Sequence, residues 1–403
     1  MLAWLGRTLI TLLSAAVVAT IGFAWYTYRT ADDNVVRDDV IAAPKSDEPP
    51  TTRDLPRTAQ TILLVGLDSR TDNAGNPLPR EVLDALNAGE ADGVQNTDTM
   101  MVVHIPADPA KKAFAVSLPR DSYVDIAGGY GTHKLNSAYI RGKNAEATRL
   151  RNAGADDATV ESESTTAGRK NLIATIQNLT GLTIDHYAEI NLFGFSELTS
   201  AVGGVPVCLN QPVHDKYSGA NFPAGEQVLQ GVDALRFVRQ RHGLENGDLD
   251  RVRRQQAFLA GLAHQLFSSG TLASPTRISA LVDALTRSVV LDRNWNLMSF
   301  ATQVASLTAD DIEFSTIPTG TINLSTPYDG SAVEVDPEQV RTYVQSLLNG
   351  PAPSTVTPGS GTVSGPGTVS DPGTTDRSVT VQKLAQEQPE QQTITAAGIP
   401  CVN

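Results

Sequence analysis

Four stretches of this chain gather side chains suited to phosphate or metal chemistry. Asp68-Ser69-Arg70 and Pro119-Arg120-Asp121-Ser122 each follow an apolar run, and Asn96-Thr97-Asp98-Thr99 opens another. The fourth stretch, 231–256 (GVDALRFVRQRHGLENGDLDRVRRQQ), sets Arg236, Arg239, Arg241, His242, Arg251, Arg253 and Arg254 among Asp233, Asp248 and Asp250. Guanidinium forks bind phosphate oxygens bidentately and stay charged at any physiological pH. A pyrophosphate, with several charged oxygens, needs several such donors. The other reading of the run is a solvated face laced with ion pairs. An Asp or Ser after a strand is also commonly a turn residue or helix cap. Three strand-end clusters beside one arginine run favour a shared site. Asp68 and Asp98 are the candidate metal ligands, because Mg²⁺ is usually held by one or two carboxylates plus substrate phosphates. The histidines are scattered without metal spacing; His133, beside Lys134 and Asn136, reads as structural or substrate-orienting. No GxSxG elbow, Walker loop or HExxH pattern appears, which argues against a serine hydrolase, P-loop NTPase or zinc protease.

Residues so far apart in the chain need a scaffold that brings them together. TILLVGL (61–67), TMMVVHI (99–105), KAFAVSL (112–118), HYAEI (186–190), VPVCL (205–209) and IEFSTIP (312–318) read as strands. Helices are expected over 169–180, 192–201, 232–239, 251–268, 276–289 and 336–348. This alternation predicts an α/β fold: a three-layer sandwich, its central mixed β-sheet flanked by helices, over 59–350. Ligands in such sheets gather beyond the carboxyl ends of strands. Asp68, Arg70, Arg120 and Asp121 meet that rule; Asp98 joins them only if its strand runs antiparallel to a neighbour. Polar stretches 71–95 and 143–166 are expected as surface insertions. Gly243 and Gly247 predict a helix stop, with Asp248 or Asp250 capping the next helix. On that helix Arg251 shares a face with Arg254 and Gln255.

The formal net charge of −13 argues against a nucleic-acid partner, which a basic surface would attract. Thr8 to Tyr26 is uncharged and mostly apolar, about the length of one membrane-crossing helix. Arg7 precedes it, and Trp25, Tyr26 and Tyr28 lie where an interfacial belt would sit. The expected layout is a cytoplasmic stub and transmembrane anchor over 1–30, an extracytoplasmic tether over 31–58 and the catalytic domain over 59–350. A low-complexity linker and short tail follow over 351–403. A cleaved signal peptide is the rival for the N-terminus, disfavoured by the length of the apolar run. The localisation expected is the cell membrane, single-pass, with the N-terminus cytoplasmic. The two cysteines, Cys208 and Cys401, exclude a thiolate zinc site. In an exported protein they either form a disulfide tying the C-terminal end to the main domain or stay as buried thiols.

The stretches LLVGLDSR, NTDTMMVVHI, VSLPRDSYVDI, HKLNSAY, IDHYAEINLFGF, VGGVPVCL and ALRFVRQRHGLENGDLDRVRRQQ cover nearly all of 61–260. In content and order they resemble the LytR–CpsA–Psr (LCP) family of bacterial cell-envelope proteins. The resemblance implies an LCP-like fold and a phosphotransferase. Such an enzyme moves a glycan from a polyprenyl-pyrophosphate carrier onto peptidoglycan, forming a phosphodiester. It implies Asp68 and Asp98 as ligands of Mg²⁺, with Mn²⁺ an alternative. It implies Arg70, Arg120, Lys134, Arg239, Arg241, Arg251 and Gln255 as pyrophosphate contacts, with Arg254 close by. Asp121 or a metal ligand would take the acceptor proton. Asn96 departs from the pattern, since many members carry Arg there. Arabinogalactan, teichoic acid and capsule are the candidate glycans. Helices 192–201 and 251–268 are expected to line a prenyl groove or to be plain core. Two rival functions remain: a lipid-pyrophosphate phosphatase, with water as acceptor, and a non-catalytic wall-binding or regulatory membrane protein.

Overall fold

The computed structural model describes residues 35–41, 58–71, 77–86, 95–268, 288–304, 307–349 and 393–403, with isolated positions at 89, 283, 284 and 286. The expected membrane anchor and low-complexity linker lie outside the described residues, as does most of the helix expected at 276–289. Among the described residues no helix is long and apolar enough to cross a membrane.

The strands, in chain order, are β1 (Val36–Asp38), β2 (Gln60–Asp68), β3 (Asn96–Ile105), β4 (Ala113–Ser117), β5 (Ser122–Ile126) and β6 (Gly131–Lys134). Then come β7 (His186–Asn191), β8 (Val205–Leu209), β9 (Val213–Asp215), β10 (Ala220–Phe222), β11 (Gly225–Leu229) and β12 (Val289–Asp292). The last are β13 (Ile312–Thr316), β14 (Leu324–Thr326), β15 (Gly330–Glu334), β16 (Ile394–Thr395) and β17 (Cys401–Val402). Eight of them form the main sheet, in the order β1-β12-β7-β2-β3-β4-β13-β16. β2 pairs parallel with β7 but antiparallel with β3, and β4 runs antiparallel to β3 and parallel to β13. The sheet is therefore mixed.

Alternation along β2 sends its side chains to opposite faces. Leu63, Val65 and Leu67 pack with Met100, Val102 and Val116 beneath Leu172, Ile173 and Ile176 of the Asp157–Thr180 helix. Val340 and Val344 of the Pro337–Asn349 helix close the same core. On the other face Ile62 packs with Trp295 and Leu307. Met101 and Ala115 meet Ala260 of the Asp248–Ser268 helix there. Helices thus cover both faces, giving three layers. Burying each large apolar side chain contributes about 1.5–3 kcal/mol, so β2 and β3 at the centre are a firm base for what their ends carry. The Leu192–Ala201 helix buries Leu192 against Leu83 and Leu235, while the Asp248–Ser268 helix buries Phe258 against Phe237.

Three expectations change. The stretch 143–166 is not an insertion but belongs to two long helices, Ser137–Asn152 and Asp157–Thr180. Its polarity hid this because the two helices meet closely at glycines, with only the small cluster of Ala147, Leu150 and Val160 at their joined ends. A Cβ on Gly142 would lie 2.6 Å from the Asn171 Cβ, and one on Gly168 would lie 2.8 Å from the Tyr139 carbonyl oxygen. The tether is not wholly free of structure either: β1 forms the sheet edge, anchored by Asp38 to Arg169 at 2.6 Å. Finally, the C-terminal tail folds back. β16 pairs with β13, β17 pairs with β8, and Cys208 and Cys401 form a disulfide with a Cα–Cα distance of 4.3 Å.

Candidate functional site

The end of β2 and the start of β3 lie side by side, Asp68 opposite Asn96. The register steps from Gly66–Thr99 to Leu67–Thr97, so Asp98 is the extra residue of a β-bulge. A bulge re-aims the side chain it carries, and bulges collect next to active sites. Gly66 faces it without a side chain; a Cβ there would lie 3.0 Å from the Thr99 Cβ. The antiparallel pairing that Asp98 requires is thus present.

Arg120 reaches the bulge from the turn between β4 and β5. Its Nη1 donates to Asp98 Oδ1 at 2.6 Å, and its Nε lies 3.6 Å from both Asp121 Oδ2 and Asp248 Oδ1. Lys134, at the end of β6, sets its Nζ 3.2 Å from Asp121 Oδ1. From the first turn of the Asp248–Ser268 helix, Arg251 places Nη1 3.9 Å from Asp98 Oδ2 and Nη2 2.5 Å from Asp248 Oδ1. Arg70 Nη2 stands 3.9 Å from Asp68 Oδ2. Arg239, the last residue of the Gly231–Arg239 helix, donates to the Leu86 carbonyl at 3.2 Å. Its charge is felt by both Asp68 and Asp98.

Electrostatics differentiate the carboxylates. Burial and the neighbouring Asp98 charge push the Asp68 carboxyl above the usual range, with Arg70, Arg239 and Arg120 only partly offsetting them. Burial acts the same way on Asp98, but Arg120 and Arg251 outweigh it and hold that carboxyl below the usual range. Asp248 is raised, chiefly by burial, despite Arg251 and Arg120. Burial lowers the Arg251 guanidinium. Several of these groups have hydrogen-bonding capacity left over. Asp68 Oδ1, both carboxylate oxygens of Asp248, Arg120 Nε, and Arg251 Nε and Nη2 are buried without a hydrogen-bond partner among the described residues. The short Arg251–Asp248 contact is an ion pair by distance, with poor hydrogen-bond alignment. Buried polar atoms are nearly always satisfied, so a concentration of exceptions in one place calls for an explanation.

The sequence missed Asp248 as a member of this cluster, reading it as a cap. Its only signal was its position three residues before Arg251, and capping and ligand roles look alike at that spacing. Three expected residues are not brought here. Arg254 is wholly buried and faces the C-terminal tail: its Nε donates to the Asn403 carbonyl at 2.5 Å, and its Nη1 donates to Gln240 Oε1. Its guanidinium sits 5.2 Å from the Phe237 ring, and burial lowers its pKa to about 10. Arg254 is thus held in the core by the returning tail and Gln240, not by the cluster. Gln255 donates to the Val238 carbonyl at 3.4 Å and ties two helices together. Arg241 is exposed beyond the helix end at Arg239. His133 pairs with Asp329 at 2.7 Å, a structural contact.

Among the described residues no group of three or more His, Cys, Asp or Glu side chains is arranged for a metal ion. The Asp68–Asp98 pair still suits a hard cation that takes part of its shell from a substrate phosphate. Asp68 Oδ1 is buried and unpartnered, and the two carboxyls repel one another.

The LytR_cpsA_psr family model matches residues 26–343. Cell wall biosynthesis protein LcpA of Corynebacterium glutamicum is 48% identical over 297 residues, which are 73% of this chain and 57% of LcpA. The chain therefore spans little more than half the length of that relative. The polyisoprenyl-teichoic acid–peptidoglycan teichoic acid transferase TagU of Halalkalibacterium halodurans is 28% identical over 299 residues, 72% of this chain and 81% of TagU. The crystal structure of B. subtilis TagV matches with a TM-score of 0.51 at 23% identity, over 73% of this chain and 99% of that one, a likeness of fold.

Proposed function

Because this chain belongs to the LytR_cpsA_psr family, we propose that it transfers a glycan phosphate from a polyprenyl-pyrophosphate carrier to peptidoglycan. One observation carries the reading: buried arginines and aspartates from four chain segments converge with donor and acceptor atoms left unsatisfied. Such a cluster suits a ligand with several anionic oxygens on one side and a cation or hydroxyl proton on the other. The chain's relatives LcpA, a cell wall biosynthesis protein, and TagU, a peptidoglycan teichoic acid transferase, support the same reading.

In this proposal Arg120, Arg239 and Arg251, with Arg70 and Lys134, grip the pyrophosphate. They neutralise the charge that builds as polyprenyl phosphate departs. The acceptor hydroxyl oxygen attacks the glycan-linked phosphorus, the bridging P–O bond breaks, and polyprenyl phosphate leaves with the electron pair. The hydroxyl proton passes to a carboxylate. Asp121 is one candidate, and Asp248 is another: burial raises it above the usual carboxylate range, the direction that strengthens a general base. Asp68 and Asp98 would hold Mg²⁺ or Mn²⁺, which when bound polarises a phosphoryl oxygen. The Cys208–Cys401 disulfide fits an oxidising compartment and so a domain outside the membrane; the apolar run 8–26 would be its single-pass anchor.

The test uses the purified full chain, lipid-linked glycan labelled in the sugar, and peptidoglycan. Label bound covalently to the wall is the expected result. Inorganic phosphate release with no wall-bound label would replace the proposal with the phosphatase reading.

A further inference from the structure

A second site stands beside the arginine loop. β9 and β10 form a hairpin, Ala220 opposite Asp215, whose turn carries Lys216, Tyr217, Ser218 and Gly219. Asp215 is only 5% exposed and builds the turn from inside. Its Oδ1 accepts from the Tyr217 backbone N–H at 2.9 Å, and its Oδ2 accepts from Ser218 Oγ at 2.8 Å. Gly219 closes the turn at φ +74°, a conformation other residues rarely adopt. The turn therefore presents Tyr217 in a fixed attitude, although the residue is 65% exposed. The His242 ring lies tilted against it, 4.3 Å between centroids and 32° between planes, and His242 Nδ1 lies 3.9 Å from Asp215 Oδ2. Lys216 Nζ stands 5.7 Å from the same ring centroid. Together with His214, Asn221 and Gly243 these residues line an open cleft. His242 follows Arg241 directly, in the segment joining the helix that ends at Arg239 to the helix that carries Arg251.

A core explanation does not cover this arrangement, because a large aromatic ring is left exposed on a turn whose backbone the buried Asp215 carboxylate organises. A rigid tyrosine offers wide contact area at small entropic cost. Flat aromatic faces take up the apolar C–H faces of sugar rings, while nearby amide, imidazole and ammonium groups bind hydroxyls and carboxylates. We propose that the Tyr217–His242 cleft is a saccharide subsite that holds the acceptor, a wall glycan strand bearing carboxylates. The cationic Lys216 beside the platform favours a carboxylate-bearing strand over a neutral one. The acceptor role rests on the transferase reading above; binding of the strand does not.

The experiment is calorimetric titration of the full chain with soluble, uncrosslinked peptidoglycan strands, with neutral N-acetylglucosamine oligomers as the comparison. Tyr217→Ala is expected to weaken strand binding about tenfold. Tyr217→Trp should keep it, Lys216→Ala should remove the preference over the neutral oligomer, and Tyr328→Ala, at another exposed tyrosine, should leave binding unaltered. Thermal unfolding of each variant separates lost binding from lost fold. Binding by Tyr217→Ala as tight as that of the parent chain would overturn the subsite, as would parent chain that transfers glycan but binds no strand. Strand binding that needs Tyr217 in a chain that transfers nothing would keep the subsite and defeat the transferase reading instead.

Discussion

Arg120 donates to Asp98 across 2.6 Å, joining a residue of the turn after β4 to the one unpaired residue of the β2–β3 ladder. The pair sits between Asp68, Asp121, Asp248 and Arg251, so it links all the segments of the cluster. Removing either partner leaves the other buried without its nearest counter-charge. Asp98→Ala and Arg120→Ala should each lower kcat/KM for glycan transfer about a hundredfold or more. Arg120→Lys should recover little, because an ammonium cannot serve two partners with a planar fork. Steady-state kinetics on labelled lipid-linked glycan would check this, and near-parental rates in Arg120→Ala would contradict it.

Asp68 makes the opposite bargain with stability. Its folded pKa lies above the unfolded value of 3.8, so the folded state holds the proton more tightly. The sign follows: below the unfolded value the group costs nothing, and the cost is complete once pH exceeds the folded pKa. Asp68→Asn should therefore raise the Tm at pH 7 while weakening transfer, and the gain should shrink as pH falls toward 4. Melting curves across pH 4–8 would show it, and a lowered Tm at pH 7 would refute the assignment.

Asp98 behaves conversely. Its depressed folded pKa contributes stability that is present above the unfolded value and disappears as pH falls through the folded one. In Arg120→Ala, which removes a principal cause of that depression, the loss should begin at higher pH. Carboxyl titration by NMR would follow the shift directly, and an unmoved Asp98 resonance would count against it.

Metal dependence is predicted from the Asp68–Asp98 pair. Chelation should stop transfer, Mg²⁺ or Mn²⁺ should restore it, and Asp68→Asn should raise the metal concentration needed for half-maximal activity about tenfold or more. Full activity after exhaustive chelation would remove the metal from the proposal.

The tail offers a stability test away from the cluster. Reducing the Cys208–Cys401 bond should destabilise the domain by about 2–4 kcal/mol. Cys401→Ser should show the same loss and no further response to reductant. Unchanged melting in both would mean the tail contributes nothing to the fold.

Much of this was readable before any coordinates. Asp68, Arg70, Arg120 and Asp121 follow apolar strands, and the strand-end rule gathers them; Asp98, on β3, then demands one antiparallel neighbour, which β2 supplies. What stayed hidden was hidden for physical reasons. Arg254 shares a helical face with Arg251 by spacing, yet a returning tail 149 residues away claims it. The close approach of the 137–152 and 157–180 helices is written in Gly142 and Gly168, with few apolar residues around them, so polarity there misleads. β1 has too few residues for any periodic signal.

The bulge at Asp98 makes the site sensitive to counting as well as to chemistry. In a pleated ladder each inserted or removed residue swaps inward for outward. Deleting one residue between Asn96 and Thr99 would restore regular pairing with β2 and take away the bulged position that brings the Asp98 carboxylate within 2.6 Å of Arg120 Nη1. Variation in this segment is thus free to change residue types at its flanks but not its length, a constraint that composition alone would never disclose.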